Sequence, residues 1–349
     1  MKAATFHDFG DSVRVEDIDA PRPGGDEVLV RVACCQIGGD IVKIMAGHGP
    51  VRDRDRFAFP HTPGYRGAGI VDVVGSEVDT LSVGDRVVIN GFLNCGRCEF
   101  CVQGHDNLCE RSHMLGIDSG QPGAMAEFVK VPARAVYRIP DEVTFEQSTL
   151  LPNIALLVHA FRRAEIDSPF TCAVFGCGLV GTAAIAVAKA LGATQIIGID
   201  TAPTALEFAS SCGATTTVDA RTEDPVEAVL GATEGRGVDV AVEIVGLGTT
   251  IADAARSTRT LGVTLLIGAL GDTTIPFPDY YRDVIQREIQ LRACFGKGQQ
   301  DFAEAIRLAG SGALDLTPFS IRVHAFDEIA GAIEIAGDPA NSDIHVVTF

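Results

Sequence analysis

Between Thr171 and Leu270 the chain alternates short apolar runs with longer mixed ones. AVFG (Ala173–Gly176), QIIGID (Gln195–Asp200), TTTVDA (Thr215–Ala220), VDVAVEIVG (Val238–Gly246) and VTLLIGAL (Val263–Leu270) have the length and composition of strands. GLVGTAAIAVAKALGA (Gly178–Ala193) and Pro203–Ser211 lie between the first of them and read as helices. Strands alternating with helices at this spacing predict a parallel, doubly wound sheet, with EIQLRACFG (Glu288–Gly296) as its last strand. The most apolar stretch, Thr171–Ile199, is a poor membrane helix because Gly176, Gly178, Gly181 and Gly192 interrupt it and Lys189 lies inside it.

The first 150 or so residues have another rhythm. EVLVRVAC (Glu27–Cys34), GAGIVDVVG (Gly67–Gly75) and DRVVIN (Asp85–Asn90) are Val/Ile-rich and separated by the turns PRPGGD, VGSEVD and SVGD. This half is expected to be mainly β, closed or barrel-like. The fold class is therefore α/β, with a mainly-β domain beside a Rossmann-type doubly wound parallel-sheet domain. A length of 349 residues suits two domains. The expected division is 1–152 with 297–349, the tail returning to the first domain, and 153–296.

Charge and composition narrow the function. The net charge of −18 leaves no Lys/Arg footprint for nucleic acid, and charged residues at 21% read as ordinary solubility. The N-terminus MKAATFHDFG has no apolar core of signal-peptide length, so export is not expected and a cytoplasmic protein is. Neither a nucleic acid nor a membrane is an expected partner; a small-molecule substrate is. The ten cysteines then read as reduced thiols, and a regular cluster of them as a metal site.

Gly176-Cys-Gly178-Leu-Val-Gly181 follows a strand and opens a helix, and Asp200 ends the next strand. That context makes it a dinucleotide-binding turn. Gly176 turns the chain, Gly178 admits the pyrophosphate and Gly181 lets helix and strand approach, while the helix N-terminus faces the phosphates. Asp200 would accept bonds from the adenosine ribose, and Thr201-Ala-Pro-Thr-Ala after it offers no cation for a 2′-phosphate, which favours NAD(H) over NADP(H). Leu179, Val180, Val245, Gly246, Gly268, Ala269 and Leu270 are assigned to the same site. A second motif, Cys95-x2-Cys98-x2-Cys101-x7-Cys109, supplies four thiolates in one loop, with Gly96 and Gly104 to let it wrap. Four protein ligands leave no open position, so one structural zinc per chain is expected.

With both motifs in this order, the chain resembles the zinc-type alcohol dehydrogenases of the medium-chain dehydrogenase/reductase superfamily over nearly its whole length. PRPGGDEVLVRV and GAGIVDVVGSEVDTLSVGDRVVI carry the likeness in the first half. The resemblance implies a GroES-like catalytic domain, a Rossmann domain and a cleft for nicotinamide and substrate. It also implies a dimer or tetramer joined through the Rossmann sheet edge.

The departures lie where that family holds a catalytic zinc. Its Cys of a C-G-T-D-like segment is Ile37 of Ile37-Gly38-Gly39-Asp40, and its proton-passing Thr/Ser is Gly39. The His and Glu of G-H-E-G-x-G are Tyr65 and Arg66, and the third ligand falls near Pro152-Asn153. These residues do not ligate zinc, so the expected enzyme works without a catalytic metal. A displaced site would need Cys34 or Cys35 with His48, His61 or His159. Tyr65 is then the candidate donor or acid/base group and Arg66 its electrostatic helper or a binder of substrate carboxylate or phosphate, with Asp40, Lys43, His48 and Asn153 as further polar candidates. Adjacent strand residues point to opposite faces, so both reach one pocket only where the backbone departs from a strand. Three readings follow: oxidation of a small alcohol or its reversal with NAD(H), conjugate reduction of an activated C=C bond, or a catalytically inactive NAD(H)-binding regulatory subunit.

Overall fold

A computed structural model describes residues 1–47, 59–118, 120–268, 274–338 and 343–349. The chain divides into two compact units, Met1–Pro152 with Gly298–Ile306 and Phe319–Phe349, and Asn153–Lys297 with Arg307–Pro318.

The first unit opens with a hairpin of β1 (Lys2–Thr5) and β2 (Arg14–Asp17), then β3 (Glu27–Ile37), α1 (Gly39–Met45), β4 (Gly67–Val74), β5 (Arg86–Ile89) and β6 (Phe92–Leu93). There follow a single turn of helix, α2 (Glu99–Val102), and the strands β7 (His113–Met114), β8 (Phe128–Pro132) and β9 (Val136–Arg138). The short helix α3 (Phe145–Ser148) starts in a capping box, Thr144 accepting from the Gln147 N–H and Gln147 from the Thr144 N–H. α4 (Leu151–Ala164) comes next and belongs to the second unit from Asn153 on.

In the second unit β10 (Phe170–Phe175), α5 (Leu179–Ala190), β11 (Ala193–Asp200), α6 (Pro203–Cys212), β12 (Thr216–Asp219) and α7 (Pro225–Ala232) alternate. β13 (Val238–Glu243), α8 (Gly248–Ser257), β14 (Thr258–Leu266) and β15 (Gln290–Ala293) complete the series. Local sequence fixes the helix ends. α6 and α7 both begin with proline, whose missing N–H costs nothing there, and Gly213 ends α6 at φ +116°. The carboxylate of Asp224 caps α7 by accepting from the N–H groups of Val226 and Glu227. The chain ends with α9 (Gln299–Gly310), β16 (Ile321–Ala325), α10 (Ile329–Ala336) and β17 (Ile344–Thr348).

The second unit's sheet has the order β12-β11-β10-β13-β14-β15 and is parallel throughout, as its Val/Ile runs predict. All six residues of β13 are buried. The first unit's large sheet runs β16-β17-β3-β4-β5-β9 with β8 on β3, so the half expected to close as a barrel follows an open path of pairings among the described residues. Long, buried β3 is its spine, pairing with β4, β8 and β17. Arg307–Pro318, read from the sequence with the returning tail, instead belongs to the second unit, where Asp315 feels the charge of Lys189 on α5. Among the described residues no helix is long and apolar enough to cross a membrane.

Candidate functional site

The glycine turn lies at the C-terminal end of β10, on the central part of its sheet. Gly176 takes φ +93°, and a Cβ there would sit 2.7 Å from Val245 Cγ2. A Cβ on Gly181 would fall 1.8 Å from the Gly176 carbonyl oxygen, so the first turn of α5 rests directly on the loop. Gly178 differs: it is exposed, caps the helix without a side chain, and an added Cβ would meet nothing within 4 Å. Close packing at two glycines and open space at the one between them fit a pyrophosphate laid over the start of α5. Leu179 and Val180 form that first turn and are half-buried.

Asp200 ends β11 beside the turn. Its Oδ2 accepts from the Cys177 N–H at 2.7 Å, and its Oδ1 accepts from Thr201 and Ala202 at 2.7 and 2.9 Å. Three backbone donors therefore fix the carboxylate against the glycine loop. Val245 and Gly246 follow β13, and Gly268 follows β14; a Cβ on Gly268 would lie 2.2 Å from the Gly246 N, so the two strand ends touch. Ala269 and Leu270 lie outside the described residues. The sequence gives no hint of the group that holds this corner. Fully buried Glu243 accepts through Oε1 from the Gly246 N–H at 2.8 Å and from Thr250 Oγ1 at 2.7 Å.

In the first unit Cys95, Cys98, Cys101 and Cys109 come together, their sulfurs all within 4.8 Å of one another. Sulfur separations of 4.0 Å (Cys95–Cys101) and 3.5 Å (Cys98–Cys101) bracket the ~3.8 Å edge of a tetrahedron with ~2.3 Å metal–sulfur bonds. Gly96 and Gly104 turn the loop at φ +68° and +81°. The Cys98 N–H points at the Cys95 sulfur and the Cys95 N–H at that of Cys109, each at 3.3 Å. Donation from the Arg97 backbone, foremost, lowers the Cys95 thiol, and donation from the Cys101 backbone lowers that of Cys98. Asp106, within the loop, accepts from Asn94 Nδ2 at 2.8 Å and from the Gln299 N–H at 3.2 Å, which ties the loop to the start of α9. The four cysteines fit a metal ion.

The residues at the other expected metal position behave differently. Ile37, at the end of β3, is 3% exposed, and Tyr65 is 4% exposed; both belong to one apolar cluster with Ile41, Ile44 and Met125. Tyr65 and Arg66 precede β4, after Gly64 at φ +108°. Outside a strand they need not point apart, and the Arg66 guanidinium carbon lies 4.5 Å above the Tyr65 ring. Tyr65 is also wedged against Gly91, where a Cβ would come within 2.6 Å of Tyr65 Cβ. Cys35 is a buried core thiol, pushed up to about 12 by desolvation, and burial raises Cys34 too. His61 is buried with Nε2 2.8 Å from the Gly116 carbonyl, and His159 lies on α4 with Nδ1 3.4 Å from Arg162. Among the described residues the cysteine loop is the one group of three or more His, Cys, Asp or Glu able to hold a metal.

The minor candidates scatter. Asp40 and Lys43 belong to α1, with Lys43 exposed at its last turn, and Gly39 begins that helix. Buried Asn153 lies on α4 in the second unit. His48 lies outside the described residues.

Comparison with known proteins agrees with both halves. The zinc-binding dehydrogenase family model matches residues 180–311, and the alcohol dehydrogenase GroES-like domain matches residues 24–141. A sorbitol dehydrogenase of Bacillus subtilis is 31% identical over 350 residues, covering 100% of this chain and 97% of that protein. An alcohol dehydrogenase from Thermus sp. ATN1 superposes with a TM-score of 0.88 at 26% identity, over 100% of this chain and 99% of that one. A putative zinc-binding dehydrogenase of Sinorhizobium meliloti, bound to NADP, gives 0.86 at 28% identity, again over 100% and 99%. Fold and motifs thus define an oxidoreductase with a GroES-like and a Rossmann-type domain. The chain belongs to the zinc-type alcohol dehydrogenases of the medium-chain dehydrogenase/reductase superfamily.

Proposed function

We propose that this chain is an NAD(H)-dependent alcohol/carbonyl oxidoreductase that holds one structural zinc in the cysteine loop and stabilises its substrate oxygen with Arg66 and Tyr65 in place of a catalytic metal. The observation that carries the reading is the Arg66 guanidinium, half-buried and stacked 4.5 Å over a buried Tyr65, where the family's metal ligands would stand. The relatives, a sorbitol dehydrogenase and an (R,R)-butanediol dehydrogenase among them, support a small alcohol or polyol as substrate. Asp200 supports NAD(H), its carboxylate being pre-oriented by three backbone donors.

The residues would divide the work as follows. The Gly176–Gly181 turn and Asp200 would hold the dinucleotide, which would supply the hydride acceptor for the alcohol carbon. The Arg66 guanidinium offsets the negative charge that builds on the substrate oxygen as its proton leaves. The Tyr65 ring orients the guanidinium, and its hydroxyl is the candidate relay for that proton, passing its own on to water as it takes the substrate's. Zinc in the cysteine loop is fully ligated by protein and contributes folding energy.

The test is a steady-state screen of alcohols, ketones and enones with both redox forms of the cofactor, followed by Arg66 variants on the best substrate. Arg66→Gln should lower kcat/KM by about 100-fold, Arg66→Lys by less, and zinc content should not change. Unchanged turnover in Arg66→Gln overturns the assignment. Turnover confined to enones would point to conjugate reduction. Tight NADH binding without any turnover would point to a regulatory subunit.

We further propose a homo-oligomer, dimer or tetramer, joined by a second copy at β15. That strand ends its sheet, and Tyr280, Tyr281, Leu291 and Phe295 near it are exposed. Light scattering reporting a monomer would contradict this. Ten cysteines without a disulfide favour a cytoplasmic setting.

A further inference from the structure

Cofactor choice in this sheet rests on more than Asp200. In the register of β11 and β12, Asp200 pairs with Asp219, the last residue of β12. Paired residues of parallel neighbours stand ~5 Å apart and point to the same face, so two carboxylates lie side by side at the C-terminal edge where this kind of sheet takes its ligand. They are held differently. Asp200 is engaged by three backbone N–H groups, those of Cys177, Thr201 and Ala202. Asp219 grips a cation: Arg221 Nε donates to Oδ1 at 3.0 Å and its terminal nitrogen to Oδ2 at 2.7 Å, while the Arg221 N–H also donates to Oδ1 at 3.0 Å. This fork-on-fork pair holds Asp219 down to about 2 and raises Arg221.

Arg221 is the first cation along the chain after Asp200, 21 residues on. A guanidinium at this corner is the group a 2′-phosphate needs, because it matches phosphate with two parallel bonds. In this chain both of its donor edges toward the strand are spent on a carboxylate two residues away.

We propose that Asp219 is a second specificity-determining residue, which locks Arg221 and thereby denies NADP(H) its phosphate partner. Asp200 repels the 2′-phosphate, and Asp219 withholds the one local cation that would attract it. The proposal rests on the NAD(H) reading above and deepens it. It explains why removing Asp200 alone should not convert the enzyme: the repulsion falls, but no positive charge is released.

The experiment is fluorescence titration of the full-length protein with NADH and with NADPH. Wild type should prefer NADH. Asp200→Ala should weaken NADH at least about tenfold and change NADPH by less than about threefold. Adding Asp219→Asn should tighten NADPH at least about tenfold over Asp200→Ala, and adding Arg221→Gln to that pair should erase the gain, whereas Arg221→Lys should keep part of it. If the Asn variant does not fold, Asp219→Ser in the same background gives the same reading. A gain of tenfold in Asp200→Ala alone, or a gain that survives Arg221→Gln, overturns the lock. A wild type that binds NADPH as tightly as NADH overturns the reading beneath it, and is distinguished because it appears before any substitution.

Discussion

The cysteine loop and the residues Ile37, Tyr65 and Arg66 lie in the same unit, yet opposite physics holds them. In the loop, the single-turn helix α2 has no buried residue, and four sulfurs converge, with backbone N–H groups aimed at those of Cys95 and Cys109. The loop has hydrogen bonds through buried Asp106 but little apolar packing, so a bound metal would add much of its stability. At Ile37 and Tyr65 the side chains are buried in one apolar cluster. Burying a residue of this size is worth ~1.5–3 kcal/mol, so the position is stabilised by packing and needs no ion. The four cysteines fit a metal ion, whereas Ile37 and Tyr65 are core residues with a cation stacked over the Tyr65 ring.

The largest expected effect comes from breaking the loop. Cys101→Ser should strip the bound zinc and lower the melting temperature by about 10 °C or more, since metal binding there is folding energy. Cys35→Ser, a thiol lost from the core, should leave the zinc content unchanged; metal analysis and thermal melts on both variants give the contrast. Next in size is the cofactor turn. Gly181→Val forces a Cβ into the Gly176 carbonyl and should abolish NADH binding, by about 100-fold or more in affinity, with the zinc retained.

A smaller effect tests the packed side of the comparison. Tyr65→Phe keeps the ring beneath Arg66 and removes only the hydroxyl. A drop in kcat/KM of about tenfold for alcohol oxidation would support its role. No drop would reduce Tyr65 to a platform, and Tyr65→Leu would then show what the ring contributes. The smallest effect lies on β16 and β17 of the first unit. His345 is buried with Nδ1 2.8 Å from His324 Nε2, and burial, foremost, lowers its pKa. A base whose folded pKa is depressed gives stability that is complete above the usual histidine value of ~6.5 and is lost as pH falls below it. Melting temperature should therefore fall on acidification through pH 6, and His345→Gln should flatten that slope.

What the sequence made legible follows from how local each signal is. Buried parallel strands are continuous Val/Ile runs, so β10, β11 and β13 could be read directly. The cysteine loop and glycine turn carry their geometry in their spacing. Two features depend on the backbone instead. Gly64 takes a positive φ, and the chain enters β4 only at Gly67; that places Arg66 over Tyr65, where a strand would have sent them apart. Asp219 and Asp200 are 19 residues apart in sequence and become neighbours only through the β11–β12 register. Glu243 was invisible for a similar reason, since a buried carboxylate inside VDVAVEIVG looks like an interruption until its bonds to Gly246 and Thr250 are seen.

The central claim is that one metal position is kept and the other is lost. Elemental analysis of zinc per chain, on protein purified without added metal and assayed after a mild chelator, tests it most directly. The account predicts about one zinc per chain, with activity that survives the chelator. About two per chain, with activity lost as the second leaves, would contradict it and would mean that a catalytic metal site has been rebuilt from other residues.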